Sequence, residues 1–295
     1  VHLKDCFHAR SGYTMSLTDS PDPRKVQYFP KFDWPRITNP AMVFPMNEEN
    51  TNKVIELEKR SIEELKTVLH DNPDDVACLI LEPIQGEGGD NHFRSEYFKA
   101  LKTLSLENDF LLVYDEVQTG VGITGKMWVH QHFDLPECEP DIISFGKKTQ
   151  CCGIFAGNRL NEVDDHVFKE SSRINSTFGG NLVDMVRFTI YLELIEKEGL
   201  VHAASVNGDY LLTCLSDLQD KYSGLMSNSR GKGLFCAFDL PTPEQRDKLI
   251  TAMEELGVLI LGCGHRSIRF RPHLNIKKGD IDIGISMIGN ALSQL

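Results

Sequence analysis

Two short segments place a carboxylate and an amine at the ends of apolar stretches. The first, residues 114–120, carries the carboxylate of Asp115. The second, residues 141–148, ends in Phe-Gly-Lys-Lys and carries the amine of Lys147. A lysine can form a Schiff base with an aldehyde, and an aspartate can keep a pyridine nitrogen protonated so that the ring accepts electrons. The pair therefore predicts a site for pyridoxal 5′-phosphate (PLP).

Both residues also have ordinary structural explanations, since Lys-Lys pairs usually lie on surfaces and a strand-end aspartate often caps a turn. The apolar strand before Lys147 and the intervening Gly146, which lets the backbone approach a ring, favour catalysis. Burial can lower a lysine pKa, and the neutral amine attacks aldehydes and carries protons. Lys148 is the competing amine, but strand alternation predicts that it points the other way.

The elements that must position these side chains are predicted from hydrophobic patterning. Helical spacing covers residues 51–71 and 94–108, and continuous apolar runs cover 76–81, 110–114, 141–145 and 153–157. Apolar strands separated by helices indicate an α/β fold with a mixed, mostly parallel sheet buried on both faces. Ligands bind beyond the carboxyl ends of such strands, which here carry residues 82–89, 115–120 and 146–147.

The pattern changes after Asn181. We predict a long helical region over 181–223, a strand over 233–240, a helix over 243–256, strands over 258–261 and 267–270, and a last helix from Gly279. This order is typical of a smaller α+β domain. We therefore expect a large PLP-binding domain over residues 1–204 and a C-terminal small domain over residues 205–295.

Composition narrows the possible functions. The 295 residues carry a net charge of −12 without a basic block, which argues against nucleic acid as a partner. The apolar runs are shorter than a membrane span, and the N-terminus lacks the apolar core of a signal peptide. The eight cysteines form no C-x-x-C pair, so reduced thiols in a cytoplasmic protein are expected, and His and Cys spacing predicts no metal site.

Several motifs together resemble class III, ω-amino-acid type, PLP-dependent aminotransferases. They are E-P-I-Q-G-E-G-G-D (82–90), D-E-V-Q-T-G (115–120), D-I-I-S-F-G-K-K (141–148), N-S-T-F-G-G-N (175–181) and R-F-R-P (269–272). The resemblance covers essentially the whole chain. It is strongest to family members that act on the ε-amine of L-lysine, through residues 7–18 and 29–36. The resemblance implies fold type I of the PLP-dependent transferases.

The resemblance also implies roles for single residues. Lys147 would form the Schiff base, Asp115 would pair with the pyridine nitrogen and Gln118 would contact the ring hydroxyl. Phe7 would stack on the ring, and Thr177 would bind the phosphate of the PLP held mainly by the other subunit. A homodimer follows, because the site is shared.

Substrate choice would depend on two arginines and a glutamate. The implied reaction moves the ε-amino group of L-lysine to 2-oxoglutarate, giving 2-aminoadipate 6-semialdehyde and glutamate by a ping-pong mechanism. Arg269 would take the α-carboxylate of 2-oxoglutarate and Arg10 its distal carboxylate, since arginine suits bidentate pairing. Glu87 would neutralise Arg269 when lysine binds. Such a pair at ~4 Å and an effective dielectric of ~20 is worth roughly 4 kcal/mol before desolvation. As an alternative, either arginine could form an ordinary salt bridge.

Two departures from the family leave other interpretations open. Nothing before Phe7 supplies the Gly/Ser-rich turn that holds the PLP phosphate, so the chain is either a fragment of a longer enzyme or a truncated, non-catalytic dimerising chain. Ala9 stands where the family usually has glycine. Within the enzyme interpretation, 4-aminobutyrate or ornithine could replace lysine as the amino donor.

Overall fold

The computed structural model describes residues 1–20, 22–133 and 135–295, which form twelve strands and seven α-helices. The strands are β1 (His2–Leu3), β2 (Arg36–Ile37), β3 (Cys78–Leu81), β4 (Ile84–Gln85), β5 (Asn91–His92), β6 (Leu111–Asp115), β7 (Ile142–Phe145), β8 (Gly153–Ala156), β9 (Ser227–Lys232), β10 (Phe235–Asp239), β11 (Leu261–Cys263) and β12 (Ser267–Phe270). The helices are α1 (Gly12–Ser16), α2 (Glu48–Asp71), α3 (Ser95–Glu107), α4 (Leu182–Lys197), α5 (Leu200–Lys221), α6 (Pro243–Glu255) and α7 (Lys278–Leu292).

A six-stranded sheet forms the first half of the fold, in the order β2-β1-β3-β6-β7-β8. Its neighbours are parallel except β7 and β8, which are antiparallel. The predicted mixed, mostly parallel sheet is therefore confirmed. The carboxyl ends of β3, β6 and β7 reach the same edge, because Leu81 lies opposite Tyr114 and Asp115 lies opposite Ser144.

The sequence of α2 and α3 explains why they cover this sheet. The Asn47 side chain caps α2 by accepting from the backbone N–H of Asn50 at 2.9 Å, which satisfies one of the helix's free donors. Leu65 of α2 and Phe98 of α3 are fully buried against strand residues such as Leu112. This apolar layer fixes the strands whose ends carry the candidate site.

A second, antiparallel sheet has the order β11-β12-β10-β9. Helices α5, α6 and α7 cover it and share its core, to which Leu215, Phe238, Leu249, Ile268 and Ile288 contribute. The expected α+β arrangement of the C-terminal part is thus present. The expected boundary at residue 205 falls inside α5, so the division into two domains stays a prediction.

The structure differs from the sequence prediction at two places in this half. The helical region over 181–223 is two helices, because Gly199 adopts a left-handed conformation with φ of +61° between α4 and α5. The strand predicted over 258–261 begins only at Leu261. Val258 and Ile260 instead pack against the second core, whereas Leu259 between them is 86% exposed.

One buried arginine joins the second sheet to the loop that follows β4. Arg230 of β9, 2% exposed, donates to the carbonyl of Asp90 at 2.9 Å and to the carbonyl of Gly89. It also pairs with Asp239 of β10 at 2.9 Å. The loop is therefore fastened to β9 and β10. Among the described residues, no helix is long and apolar enough to cross a membrane.

Candidate active site

Lys147 lies just beyond the end of β7. It begins a 3-10 turn over Lys147–Thr149 with a backbone φ of +54°. Its side chain lines a cavity of about 610 Å³ together with Gln118 and Arg269. Partial burial of the amine, assisted by the charges of Arg269 and Arg271, lowers the pKa of Lys147. A larger fraction of the amine is therefore neutral than in a surface lysine.

Lys148 also lines this cavity, so the prediction that strand alternation points it away is wrong. The physical reason is that both lysines lie in the 3-10 turn rather than in the strand. The Lys148 amine donates to the backbone carbonyl of Gln118 at 2.7 Å. Burial lowers the pKa of Lys148 to about 7. Within the described part of the chain, the Lys147 amine makes no hydrogen bond, and it is therefore the one free to react.

Asp115 ends β6 and is held by three donors. Its Oδ1 accepts from the Val117 N–H and the Ser144 hydroxyl, each at 3.1 Å, and its Oδ2 contacts His8 Nδ1 at 2.8 Å. Burial would raise the pKa of Asp115, but these hydrogen bonds and the charge of His8 outweigh it and lower the pKa. The side chain is therefore a carboxylate at neutral pH, as a partner for a protonated ring nitrogen must be.

His8, which stands directly after Phe7, lies at the site and contacts Asp115. Burial would lower the pKa of His8, yet its contacts with Cys6 and Asp115 raise it well above the usual value. The protonated ring donates Nδ1–H to Asp115. Its other nitrogen, Nε2, is buried and has no hydrogen-bond partner among the residues that the structure describes.

Glu82 is a residue that sequence reasoning missed, and it joins two loops next to the site. It follows β3 and is almost fully buried. Its two carboxylate oxygens accept from the backbone N–H groups of Phe7 and Gly86, both at 2.9 Å. Burial raises the pKa of Glu82 to about 7. These bonds hold the Phe7 backbone beside the loop that carries Glu87.

Gln118 lies in the turn after β6, with its carboxamide directed at two arginines. Its Oε1 accepts from Arg271 at 2.9 Å and from Arg269 at 3.5 Å. A Cβ added at Gly86 would lie 2.3 Å from this oxygen, so only glycine leaves the space that the carboxamide occupies. The expected contact between Gln118 and a ring hydroxyl stays a prediction.

Arg271 was also missed, although it is the second arginine of the R-F-R-P motif. It pairs with the buried Asp90 through both terminal nitrogens, at 2.9 and 2.5 Å. Its guanidinium lies 3.2 Å from the ring centre of Phe235. Arg271 is therefore neutralised and stacked, and it holds Gln118 in place. Arg269, in contrast, has no ion pair with any described residue.

Glu87 lies near Arg269 but is not paired with it. Both line a second cavity of about 560 Å³. The Glu87 carboxylate instead accepts from the Ser20 hydroxyl at 3.0 Å and from the Lys25 amine. The predicted ion pair between Glu87 and Arg269 is thus not formed in this structure, because Lys25 supplies the counter-charge. Sequence reasoning missed both Ser20 and Lys25.

Of the remaining predicted residues, only Phe7 is bound to a residue of the site, through its backbone N–H and Glu82. Phe7 is half-buried at the sheet edge, as a stacking residue needs, but Arg10 is exposed and makes no ion pair within the described chain. Thr177 lies in an exposed turn. Their predicted roles therefore stay predictions.

The residues gathered at the sheet edge fit the ring and aldehyde of PLP. They offer a free amine at Lys147, an ionised carboxylate at Asp115 and an unpartnered buried nitrogen at His8. Amine and carboxylate follow neighbouring strands, as the register of β6 and β7 shows. A protonated pyridine ring bearing an aldehyde matches this donor and acceptor set.

Comparison with known proteins points the same way. The family model described as aminotransferase class-III matches residues 1–292. The L-lysine-epsilon aminotransferase of Mycobacterium tuberculosis is 46% identical over 292 residues, which are 99% of this chain and 64% of that protein. The 4-aminobutyrate aminotransferase of Dictyostelium discoideum is 36% identical, over 100% of this chain and 58% of that protein.

Solved structures extend the likeness to three dimensions. The lysine aminotransferase from M. tuberculosis in the internal aldimine form superimposes with a TM-score of 0.94 at 46% identity. The match covers 99% of this chain and 66% of that one. The chain thus spans about 64% of the length of the lysine aminotransferases that it matches.

Proposed function

This chain belongs to the class III aminotransferases, a PLP-dependent family, and from that premise we propose that it transfers the ε-amino group of L-lysine to 2-oxoglutarate. The products would be 2-aminoadipate 6-semialdehyde and glutamate. The observation that carries the proposal is the free amine of Lys147 beside the ionised carboxylate of Asp115, at the ends of paired strands. The higher identity to lysine than to 4-aminobutyrate aminotransferases supports lysine as the donor.

The chain's own residues supply binding and proton transfer. When bound, PLP supplies the electron sink that allows an amino group to leave one carbon and join another. Asp115 holds a proton on the ring nitrogen, and His8 keeps Asp115 ionised and oriented. The Lys147 amine holds the cofactor and then takes up and returns a proton at the substrate carbon. Phe7 stacks on the ring, and Gln118 contacts its hydroxyl.

Substrate choice depends on charge at Arg269. We propose that Arg269 binds the α-carboxylate of 2-oxoglutarate, while Arg10 binds the distal one. Lysine, presented by its ε-amine, brings no carboxylate to Arg269, so Glu87 neutralises it. Two observations support this exchange: Glu87 Oε2 and Arg269 Nε are both buried and unpartnered among the described residues. Each can accept the other as a partner at little further desolvation cost.

We also propose that the chain forms a homodimer and lies in the cytoplasm. Helix α4 and the turn before it expose large apolar side chains, including Phe178 at 80%, Leu182 at 81% and Val183 at 71%. A patch of this kind favours association with another surface. Thr177 stands beside Phe178 in the same turn, so a second copy would receive its hydroxyl. The eight free cysteines are consistent with a reducing compartment.

A spectroscopic titration and a donor panel test the function. PLP added to the chain should give an absorbance band that Lys147→Ala removes and Lys148→Met, the matched control, keeps.

With 2-oxoglutarate as acceptor, lysine should react faster than 4-aminobutyrate or ornithine. A faster reaction with 4-aminobutyrate would reject the donor. If the wild-type chain gave no band, the alternative of a non-catalytic dimerising chain would be favoured over the aminotransferase.

A further inference from the structure

Glu87 stands between two cations, and it contacts only one of them in this structure. One of its carboxylate oxygens, Oε1, binds the Lys25 amine and the Ser20 hydroxyl. The other, Oε2, is buried without a partner among the described residues. Lys25, Glu87 and Arg269 all line the same cavity of about 560 Å³. The carboxylate therefore has one occupied binding position and faces a second cation across shared space.

The backbone that carries Glu87 is fixed to the hairpin that carries Arg269. The Gly264 N–H, in the turn between β11 and β12, donates to the Glu87 carbonyl at 2.8 Å. A Cβ at Gly264 would lie 2.7 Å from the Gly88 carbonyl, so loop and hairpin are in close contact. Because the backbone is held, we expect Glu87 to exchange partners by rotation of its side chain.

Lys25 is held in position to receive the carboxylate. It ends the short 3-10 turn Pro23–Lys25, which the Asp22 side chain caps through the Arg24 N–H at 3.1 Å. The Lys25 side chain is only 32% exposed, whereas that of its neighbour Arg24 is 83% exposed and pairs with Asp22. The side chains of these two adjacent cations therefore point in different directions, and of the two only Lys25 contacts Glu87.

We propose that Lys25, assisted by Ser20, forms the second binding position of Glu87 and so determines how readily Arg269 is released for a keto-dicarboxylate. This inference rests on the proposed exchange of Glu87 at Arg269. When Glu87 binds Lys25, Arg269 is free to bind the incoming carboxylate. When Glu87 binds Arg269, a substrate without a nearby carboxylate is accommodated. Lys25 thereby sets the balance between the state that binds the amino acceptor and the state that binds the amino donor.

Glutarate, a dicarboxylate that cannot react, is the probe for the acceptor state, and 6-aminohexanoate is the probe for the donor state. On the PLP-loaded protein, calorimetric titration should show that Lys25→Met weakens glutarate binding by about tenfold, which corresponds to ~1.4 kcal/mol. Binding of 6-aminohexanoate should be unchanged or tighter. Lys25→Arg should restore glutarate binding to within about threefold of wild type, because it restores the cation.

The Glu87→Gln background separates this role from simple attraction of an anion. Glu87→Gln should tighten glutarate binding, since Arg269 is then always free. Adding Lys25→Met to that variant should have less than a twofold further effect. Equal weakening in both backgrounds would mean that Lys25 attracts the anion directly, which would overturn the inference. Arg24→Met removes the same charge one residue away and should leave glutarate affinity within about twofold.

A wrong amino donor and a wrong role for Lys25 would give different experimental results. If the protein used 4-aminobutyrate instead of lysine, the donor assignment would be wrong, while the dependence of glutarate binding on Lys25 and Glu87 would still stand. If lysine and 2-oxoglutarate were the substrates but Lys25→Met changed both probes equally, only the inference would be overturned. Absence of glutarate binding by the wild-type protein would also overturn it.

Discussion

Lys147 adopts a left-handed backbone conformation that is uncommon for a residue with a long side chain. Such a conformation costs on the order of 1 kcal/mol or more and persists where the surroundings impose it. Here it follows Gly146 beyond the end of β7 and begins a turn whose next residue, Lys148, is bound to a carbonyl. We therefore expect the two lysines to differ in function, because the turn gives Lys148 a partner while Lys147 has none among the described residues.

Lys148 should make stability depend on pH. Its pKa is lowered from the ordinary 10.5 to about 7, so between these values the unfolded chain binds more protons, and stability rises with pH. The penalty for burying the charge is fully present below about pH 7. Lys148→Met lacks this titrating group, so its stability does not gain from the rise in pH. We expect its free energy of unfolding, minus that of wild type, to fall by roughly 2 to 4 kcal/mol between about pH 7 and about pH 10. Urea unfolding at both pH values measures this, and a constant difference would contradict it.

Ala9 has a φ of +79°, which disfavours any residue with a Cβ. Ala9→Gly should therefore raise the free energy of unfolding by about 1 kcal/mol, measured by chemical denaturation. Ala100, inside helix α3, is the matched control. Ala100→Gly should lower stability by about 1 kcal/mol. Destabilisation by both substitutions would show that the loop around Ala9 does not hold this conformation in solution.

Helix α5 approaches the hairpin between β9 and β10 at a pair of glycines. A Cβ at Gly208 would lie 1.9 Å from the backbone of Gly233. Because the clash is with backbone atoms, no side-chain movement could relieve it. We expect Gly208→Ala to destabilise the protein by more than about 3 kcal/mol, although alanine favours helices. Gly284 in α7 has open space around it, so Gly284→Ala should stabilise by up to about 1 kcal/mol. Thermal unfolding of both variants tests the contact.

The strands that carry the site were predictable from local sequence, whereas several of its contacts were not. Continuous apolar runs identify β3, β6 and β7 because a sheet covered on both faces needs apolar residues at every position. The bond between His8 and Asp115 spans 107 residues, and the pair of Arg271 with Asp90 spans 181. No local period records which of several charged residues meet across such distances. The family motifs point to Lys147, Asp115, Arg269 and Glu87, whose roles stay predictions, but they do not indicate that Glu87 contacts Lys25 in this structure.

At the scale of the whole molecule, helix α4 and the turn before it expose a run of large apolar side chains. Val183 and Val186 of α4 are 71% and 61% exposed, and Phe178 precedes them. Soluble proteins seldom leave such a patch uncovered. A charge placed within an apolar interface is costly because it loses its hydration. The patch therefore allows a direct test of the proposed homodimer.

We expect the double variant Val183→Glu, Val186→Glu to convert a dimer into monomers. Analytical ultracentrifugation would report the loss of mass, with at least a tenfold weaker association. Val206→Glu on α5, where the valine is 44% exposed, is the control and should leave the association unchanged. A wild-type chain that is monomeric at all concentrations tested would reject the homodimer.

Arg230 and Gly264 hold the loop after β4 from two sides, and this also affects how fast Glu87 can exchange partners. Loop opening and domain closure take microseconds to milliseconds or longer. With its backbone held, Glu87 should exchange partners without waiting for such a movement. We therefore expect alternation between the two substrates not to limit turnover, so that proton transfer or product release sets the rate.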